Sequence, residues 1–200
     1  MQGNGLVVDR EAPSFLSAEC ERIIDTRKRL PDFVFRGPFA DYFAIEYGHI
    51  YKKSFGMLLF QIATIFEDES VNYMALDPPP DSYYRASSVF GAASFQASSL
   101  VERYESVLSR EQNVPQLLAG VNVGVFWGSS LKWGIHCDRI SWEMAVIAVS
   151  EHVDVPRISG YHCMDASWLA DYVKSLYHAK DPSDSIASDF TRGFLANYPI

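Results

Sequence analysis

His136, Cys137, Asp138 and Arg139 stand in a row between Trp133 and Trp142, and His162, Cys163 and Asp165 repeat the same residue types further on. Imidazole, thiol and carboxylate are the groups of acid–base catalysis, thiolate attack and zinc ligation. Two His-Cys pairs hold the donor set of a tetrahedral zinc site, but their spacing argues against one. Adjacent side chains on a strand point to opposite faces, so each pair offers one ligand at a time, and neither CxxC nor HxxxH spacing occurs. No metal and no cofactor are expected.

A cysteine nucleophile needs a base brought to it from elsewhere in the fold, and nothing local marks Cys137 or Cys163 as one. Asp165 precedes a helical pattern and reads as its N-cap. The chain has no G-x-S-x-G, no phosphate-cradling glycine loop, no G-x-G-x-x-G after a strand and no H-E-x-x-H. The catalytic alternative is a hydrolase or transferase using His136 and Asp138 with His162 or Cys163. The plainer reading makes Cys137 a small core residue, with His136 and Asp138 on the opposite, solvent-facing side beside Lys132, and the whole run a bend between strands.

The elements that must hold these residues come from hydrophobic period. A helical N-terminal segment spans 14–30 and stops at Pro31. "DFVFRG" (32–37) reads as a strand. Residues 47–66 carry apolar side chains at helical spacing and form the spine of the core, and Gly56 marks a close helix crossing. "SVNYMALD" (70–77) is a strand, and 86–98 is irregular. Ser99 with Glu102 is a capping box opening a helix that carries Leu100, Tyr104, Val107 and Leu108. The period then shifts to two. Val121, Val123, Val125 and Trp127 alternate, then Leu131, Trp133, Ile135 and Cys137. Met144 to Val149 is apolar throughout, as in a strand covered on both faces. Helices follow at 166–178 and about 184–196, within a C-terminal helical region 166–196. The fold class is α+β: an antiparallel sheet, with a meander near 121–150, packed against several helices in a single domain over 1–200.

The chain has 200 residues, 48% of them apolar, enough to build a core without metal or disulfide support. Its net charge of −8 argues against sequence-independent binding to nucleic acid or to an anionic membrane. Three cysteines, an odd count with no close pair, point to a reducing compartment. With no basic leader and no long apolar run, the expectation is a cytoplasmic, soluble protein.

Charge is uneven along the chain. No basic residue falls between Lys53 and Arg85, while Glu67, Asp68, Glu69, Asp77 and Asp81 do. Acids following a helix oppose its dipole, a local cost that invites a functional reason. "DPPPDSYY" adds Tyr83 and Tyr84 on stiff backbone. Acid with tyrosine is the composition of a surface that captures a basic protein. The seven residues Glu67, Asp68, Glu69, Asp77, Asp81, Tyr83 and Tyr84 are the candidate partner-binding set.

The stretch "VNVGVFWGSSLKWGIHCDRISWEMAVIAV" (121–149) resembles the C-terminal strands of small immunity proteins from bacterial toxin–immunity systems of the polymorphic, contact-dependent or type VI kind. There a W-G-x-x-x-D-R bend precedes an E-x-A-V-x-A strand. The matching positions are Trp133, Gly134, Asp138, Arg139, Glu143, Ala145 and Val146. "FVFRGPF" (33–39), ahead of a long helix, is similar. The resemblance covers about a third of the chain, rests on structural motifs, and carries over no binding residue. It implies an inhibitor that binds a secreted toxin's catalytic domain and protects the producing cell. With the acidic interval and the missing catalytic motifs, the expectation is a non-enzymatic protein that binds a cognate, basic toxin. A regulatory protein-binding domain and a homodimer stay open beside it.

Overall fold

The computed structural model describes residues 12–79, 91–108, 121–177 and 185–200. Six strands form one sheet: β1 Asp41–Glu46, β2 Ser70–Asp77, β3 Ala92–Gln96, β4 Val123–Gly128, β5 Trp133–Asp138 and β6 Met144–Val149. Their spatial order is β1-β6-β5-β4-β2-β3, and every neighbouring pair is antiparallel. The meander expected near 121–150 is β4-β5-β6. The fold is α+β, with this sheet as its middle layer.

Six helices are described: α1 Ala12–Ile23, α2 Lys53–Ile65, α3 Leu100–Leu108, α4 Val155–Ser159, α5 Ala166–Tyr177 and α6 Ser185–Asn197. One face of the sheet, with Tyr73, Phe126, Trp133 and Cys137, packs against α2, Leu100 and Tyr104 of α3, and Val155 of α4. The other, with Met74, Val125, Trp127 and Val146, packs against α1, Val34 and Phe35, α5 and α6. Both faces are therefore covered, and every residue of β4, β5 and β6 is buried. That is why these strands carry apolar side chains in both registers instead of alternating with polar ones.

Gly56 does mark a helix crossing. A Cβ there would stand 2.9 Å from Cδ1 of Tyr104, so only glycine lets α2 approach α3 this closely. The Tyr104 hydroxyl then donates to the Ile50 carbonyl at 2.6 Å.

Three local expectations need correction, and one strand was not anticipated. First, "DFVFRG" is no strand of the sheet. The N-terminal helix ends at Ile23, short of residue 30, because Ile24 leaves it to form a single bridge with Phe35. The Tyr198 hydroxyl holds this crossing from the far end of the chain, donating to the Asp32 carbonyl at 2.7 Å and accepting from Val34 N at 2.9 Å. Second, 47–66 is a 3-10 turn at Tyr47–Tyr51 followed by α2, the helix breaking where Lys52 turns extended. The strand not anticipated is β1, "DYFAIE", ahead of that turn. Third, the 86–98 stretch contains β3, which pairs with β2; residues 86–90 lie outside the described part.

Candidate functional site

His136, Cys137 and Asp138 lie within β5, and the bend begins only at Arg139. Alternation places Cys137 on the Trp133 face, as expected, but the opposite face is not solvent. His136 is 0% exposed and Asp138 is 1% exposed, because α1, α5, α6 and the 24–35 segment cover that side. The surface placement of His136 and Asp138 is thereby corrected.

His136 sits between Val125 of β4 and Val146 of β6. Both ring nitrogens are buried with no hydrogen-bond partner. Burial, with the Arg29 guanidinium second, holds the imidazole far below its usual range, down to about 3. It is neutral near neutral pH.

Asp138 uses its Oδ1 to accept from Ser141 N at 2.8 Å and Trp142 N at 3.3 Å, closing the bend. Burial raises its carboxyl, against the opposing pull of those amides and of Arg29. Arg139 reaches Asn122, its amide donating to the backbone carbonyl at 2.8 Å. Helices clamp the bend from outside. Trp142 stacks on Phe190 with centroids 3.5 Å apart and donates from Nε1 to the Leu30 carbonyl at 3.2 Å. The Tyr177 hydroxyl donates to the Ser141 carbonyl.

The second cluster runs along the outer edge of β1, where Met164 N donates to the Ala44 carbonyl at 2.8 Å. His162 stacks on Trp168 with centroids 4.2 Å apart, and Asp165 caps α5 by accepting from Trp168 N at 2.8 Å. Cys163 is half-buried, its thiol pushed up to about 11 by burial and then by Asp154. The Cys137 thiol is raised further, by burial first and Asp138 second. Neither thiol is a thiolate near pH 7. Strands β6 and β1 stand between β5 and the 161–165 segment, a gap of roughly 14 Å at ordinary strand spacing. Among the described residues, no three of His, Cys, Asp and Glu converge on a metal-sized site.

The acidic interval divides into residues turned inward and residues turned outward. Asp68 is 8% exposed, and its carboxylate accepts from Trp133 Nε1 at 2.6 Å, Ser130 N at 2.5 Å and Ser129 Oγ at 3.3 Å. It ties the end of α2 to the β4–β5 turn and leaves no oxygen toward a partner. Gly128 makes room for it, since a Cβ there would stand 2.1 Å from Asp68 Oδ2. This structural tie offsets the local cost of an acid after α2.

Glu67 and Glu69 are exposed on either side of it. Asp68 N donates to the Ala63 carbonyl at 2.8 Å and Glu67 N to the Thr64 carbonyl at 3.3 Å, the Schellman closure of a helix. Glu67 occupies its left-handed position at φ 56°, where glycine is usual. Asp77 is half-buried and accepts from Asn122 Nδ2 at 3.1 Å. Asp81, Tyr83 and Tyr84 lie outside the described residues.

The Asp68–Trp133 contact escaped sequence reasoning, although a signal existed. A buried indole N–H nearly always finds an acceptor, so each core tryptophan asks for one. Trp127 finds Glu19 in the same way, Nε1 to Oε2 at 3.4 Å.

The geometry defines an α+β domain in which His136, Cys137, Asp138 and Asp68 belong to the core, while Glu67 and Glu69 are exposed at the end of α2. No family model, curated protein or solved structure matches the chain. Among the described residues, no helix is long and apolar enough to cross a membrane.

Proposed function

We propose that this chain is a non-catalytic immunity protein that binds and occludes the catalytic domain of a secreted bacterial toxin, acting in the cytoplasm of the producing cell. The observation that carries this reading is the division of its polar chemistry. His136, Cys137 and Asp138 are buried and absorbed by the fold, whereas Glu67 and Glu69 face solvent beside the exposed Ile65. That combination suits recognition: acids steer a basic partner, and an apolar neighbour supplies contact once water is expelled. The net charge of −8 favours the same partner. The hydrolase or transferase reading needs His136 and Asp138 to meet His162 or Cys163 and a substrate; a 0% exposed imidazole two strands away does not favour it.

The test starts from the neighbouring genes: the reading expects one of them to encode a toxin domain, which is then used as the partner. Co-expression should rescue growth of cells making that domain, through a stoichiometric complex. In capture kinetics across a salt series, the association rate should fall as ions screen the contact, with a Debye length of about 10 Å at ~0.1 M. Glu67→Lys with Glu69→Lys should lower association several-fold and leave dissociation nearly unchanged, because rim charges act chiefly on encounter. A complex whose association ignores both salt and the double reversal would place its interface elsewhere. Absence of any complex or rescue would remove the immunity reading.

A further inference from the structure

Helix α2 carries its charges the wrong way round. A helix favours acids at its N-terminus and bases at its C-terminus. Here Lys52 and Lys53 stand at the start, with no side-chain cap on the helix, and the exposed Glu67 and Glu69 follow the end. The first turn holds no acid and the last no base. Both ends therefore cost the isolated domain something.

The outward side between those ends is mixed: Met57 and Ile65 stand exposed among the polar Ser54, Gln61 and Thr64. Phe55, Leu58, Leu59 and Ile62 point into the core. On the opposite side Met57 is 40% exposed and Ile65 47% exposed, with Phe60 half-buried and the polar Gln61 and Thr64 between them. Of the six large apolar side chains exposed among the described residues, three (Tyr51, Met57 and Ile65) belong to the 51–65 stretch. A surface helix normally shows polar residues on this side.

One arrangement relieves both anomalies together. We infer that α2 is a self-association face, seating antiparallel on the α2 of a second copy of this chain across a two-fold axis near Phe60 and Gln61. The axis brings Lys52 and Lys53 of each copy beside Glu67 and Glu69 of the other, so the charges pair twice. Each charge also meets the end of the partner's helix that attracts it, because the two dipoles run oppositely. Met57 and Ile65 of the two copies, the exposed apolar side chains of α2, supply the apolar part of the seam. Such a contact is isologous, every residue class meeting its complement on the same patch. A face about 20 Å long is small beside ordinary stable interfaces, so the dimer is a weak one. The inference goes beyond the immunity reading and does not depend on it. Where both hold, a basic toxin competes with the second copy for Glu67 and Glu69.

Sedimentation equilibrium of the full chain alone, from about 1 to 500 μM, tests it. The weight-average mass should climb from 22.5 kDa toward twice that value. Met57→Glu should weaken self-association at least tenfold while leaving the circular dichroism spectrum and melt unchanged. Lys52→Glu with Lys53→Glu should do the same, as should Glu67→Lys with Glu69→Lys, without loss of thermal stability, since each reversal suits the helix's own dipole. Mixing the two reversed proteins should restore a dimer that neither forms alone. A monomer at every concentration overturns the proposal. So does a dimer indifferent to these substitutions, or a mixture that stays monomeric. No toxin enters the experiment, so its failure leaves the immunity reading standing.

Discussion

Replacing His136 with leucine should leave the protein at least as stable at about pH 7.5 and should flatten its loss of stability in acid. The imidazole titrates near 6.5 when the chain is unfolded and at about 3 when folded. Between those values the unfolded state binds the extra proton, so wild-type stability falls as pH drops through that window. Above about 6.5 the ring is neutral in both states and adds no slope. Full traversal amounts to on the order of 5 kcal/mol, at 1.4 kcal/mol for each pKa unit. Asp138 works in the opposite direction. Its raised folded pKa means the folded state takes up a proton first, which recovers part of the loss as pH falls toward 3.8. Because Asp138 is present in both proteins, the difference between them isolates His136. At about pH 7.5, leucine also removes two buried nitrogens that have no partner, a change worth about 1 kcal/mol or more if the volume is accepted. Urea midpoints at several pH values measure both effects. Parallel pH profiles for wild type and His136→Leu would mean the imidazole is solvated or paired, contrary to the packing described.

Asp68→Ala should unfold the protein roughly 10 °C early, while Glu69→Ala, one residue away, changes almost nothing. The alanine strips acceptors from the fully buried Trp133 indole and from Ser130 N, and it leaves a polar hole beside Gly128. Leaving buried donors unpaired costs about 1–3 kcal/mol each, more where the lost acceptor was charged. About 3–4 kcal/mol together, at 2–4 °C per kcal/mol for a chain of this size, gives the expected shift. Exposed substitutions stay within about 0.5 kcal/mol. Differential scanning calorimetry of the two variants decides the matter. Equal melts would return Asp68 to the outward acidic set and deny its role as a tie.

Both expectations rest on contacts that were only partly legible in the sequence. The sheet's centre was readable because β2, β4, β5 and β6 state their burial locally, in apolar runs and alternation. Alternation also named the face of His136 correctly. It could not say what covers that face, since the cover comes from α1, α5, α6 and Tyr198, all distant in the chain. β3 was hidden for a similar reason: "AASFQ" has little strand propensity, and it is a strand because β2 pairs with it. β1 was overlooked because its apolar residues run directly into those of the 47–51 turn, blurring one period into another. Asp68 looked like one of three equivalent acids. Its partner Trp133 lies 65 residues away, and no local pattern encodes that distance.

The place of β1 at the sheet's edge has a consequence for how the chain is made. Its ladder partner is β6, with Asp41 opposite Val149, so the two strands emerge from the ribosome roughly a hundred residues apart. At 5–20 residues per second, β1 spends several seconds in the nascent chain before that partner exists. During that interval Tyr42, Phe43 and Ile45 have no ladder to join, and a lone strand edge invites pairing with whatever passes. The β2–β3 pair, closed over a far shorter loop, does not wait for it. The first strand therefore waits for the last strand of the sheet before its ladder can close.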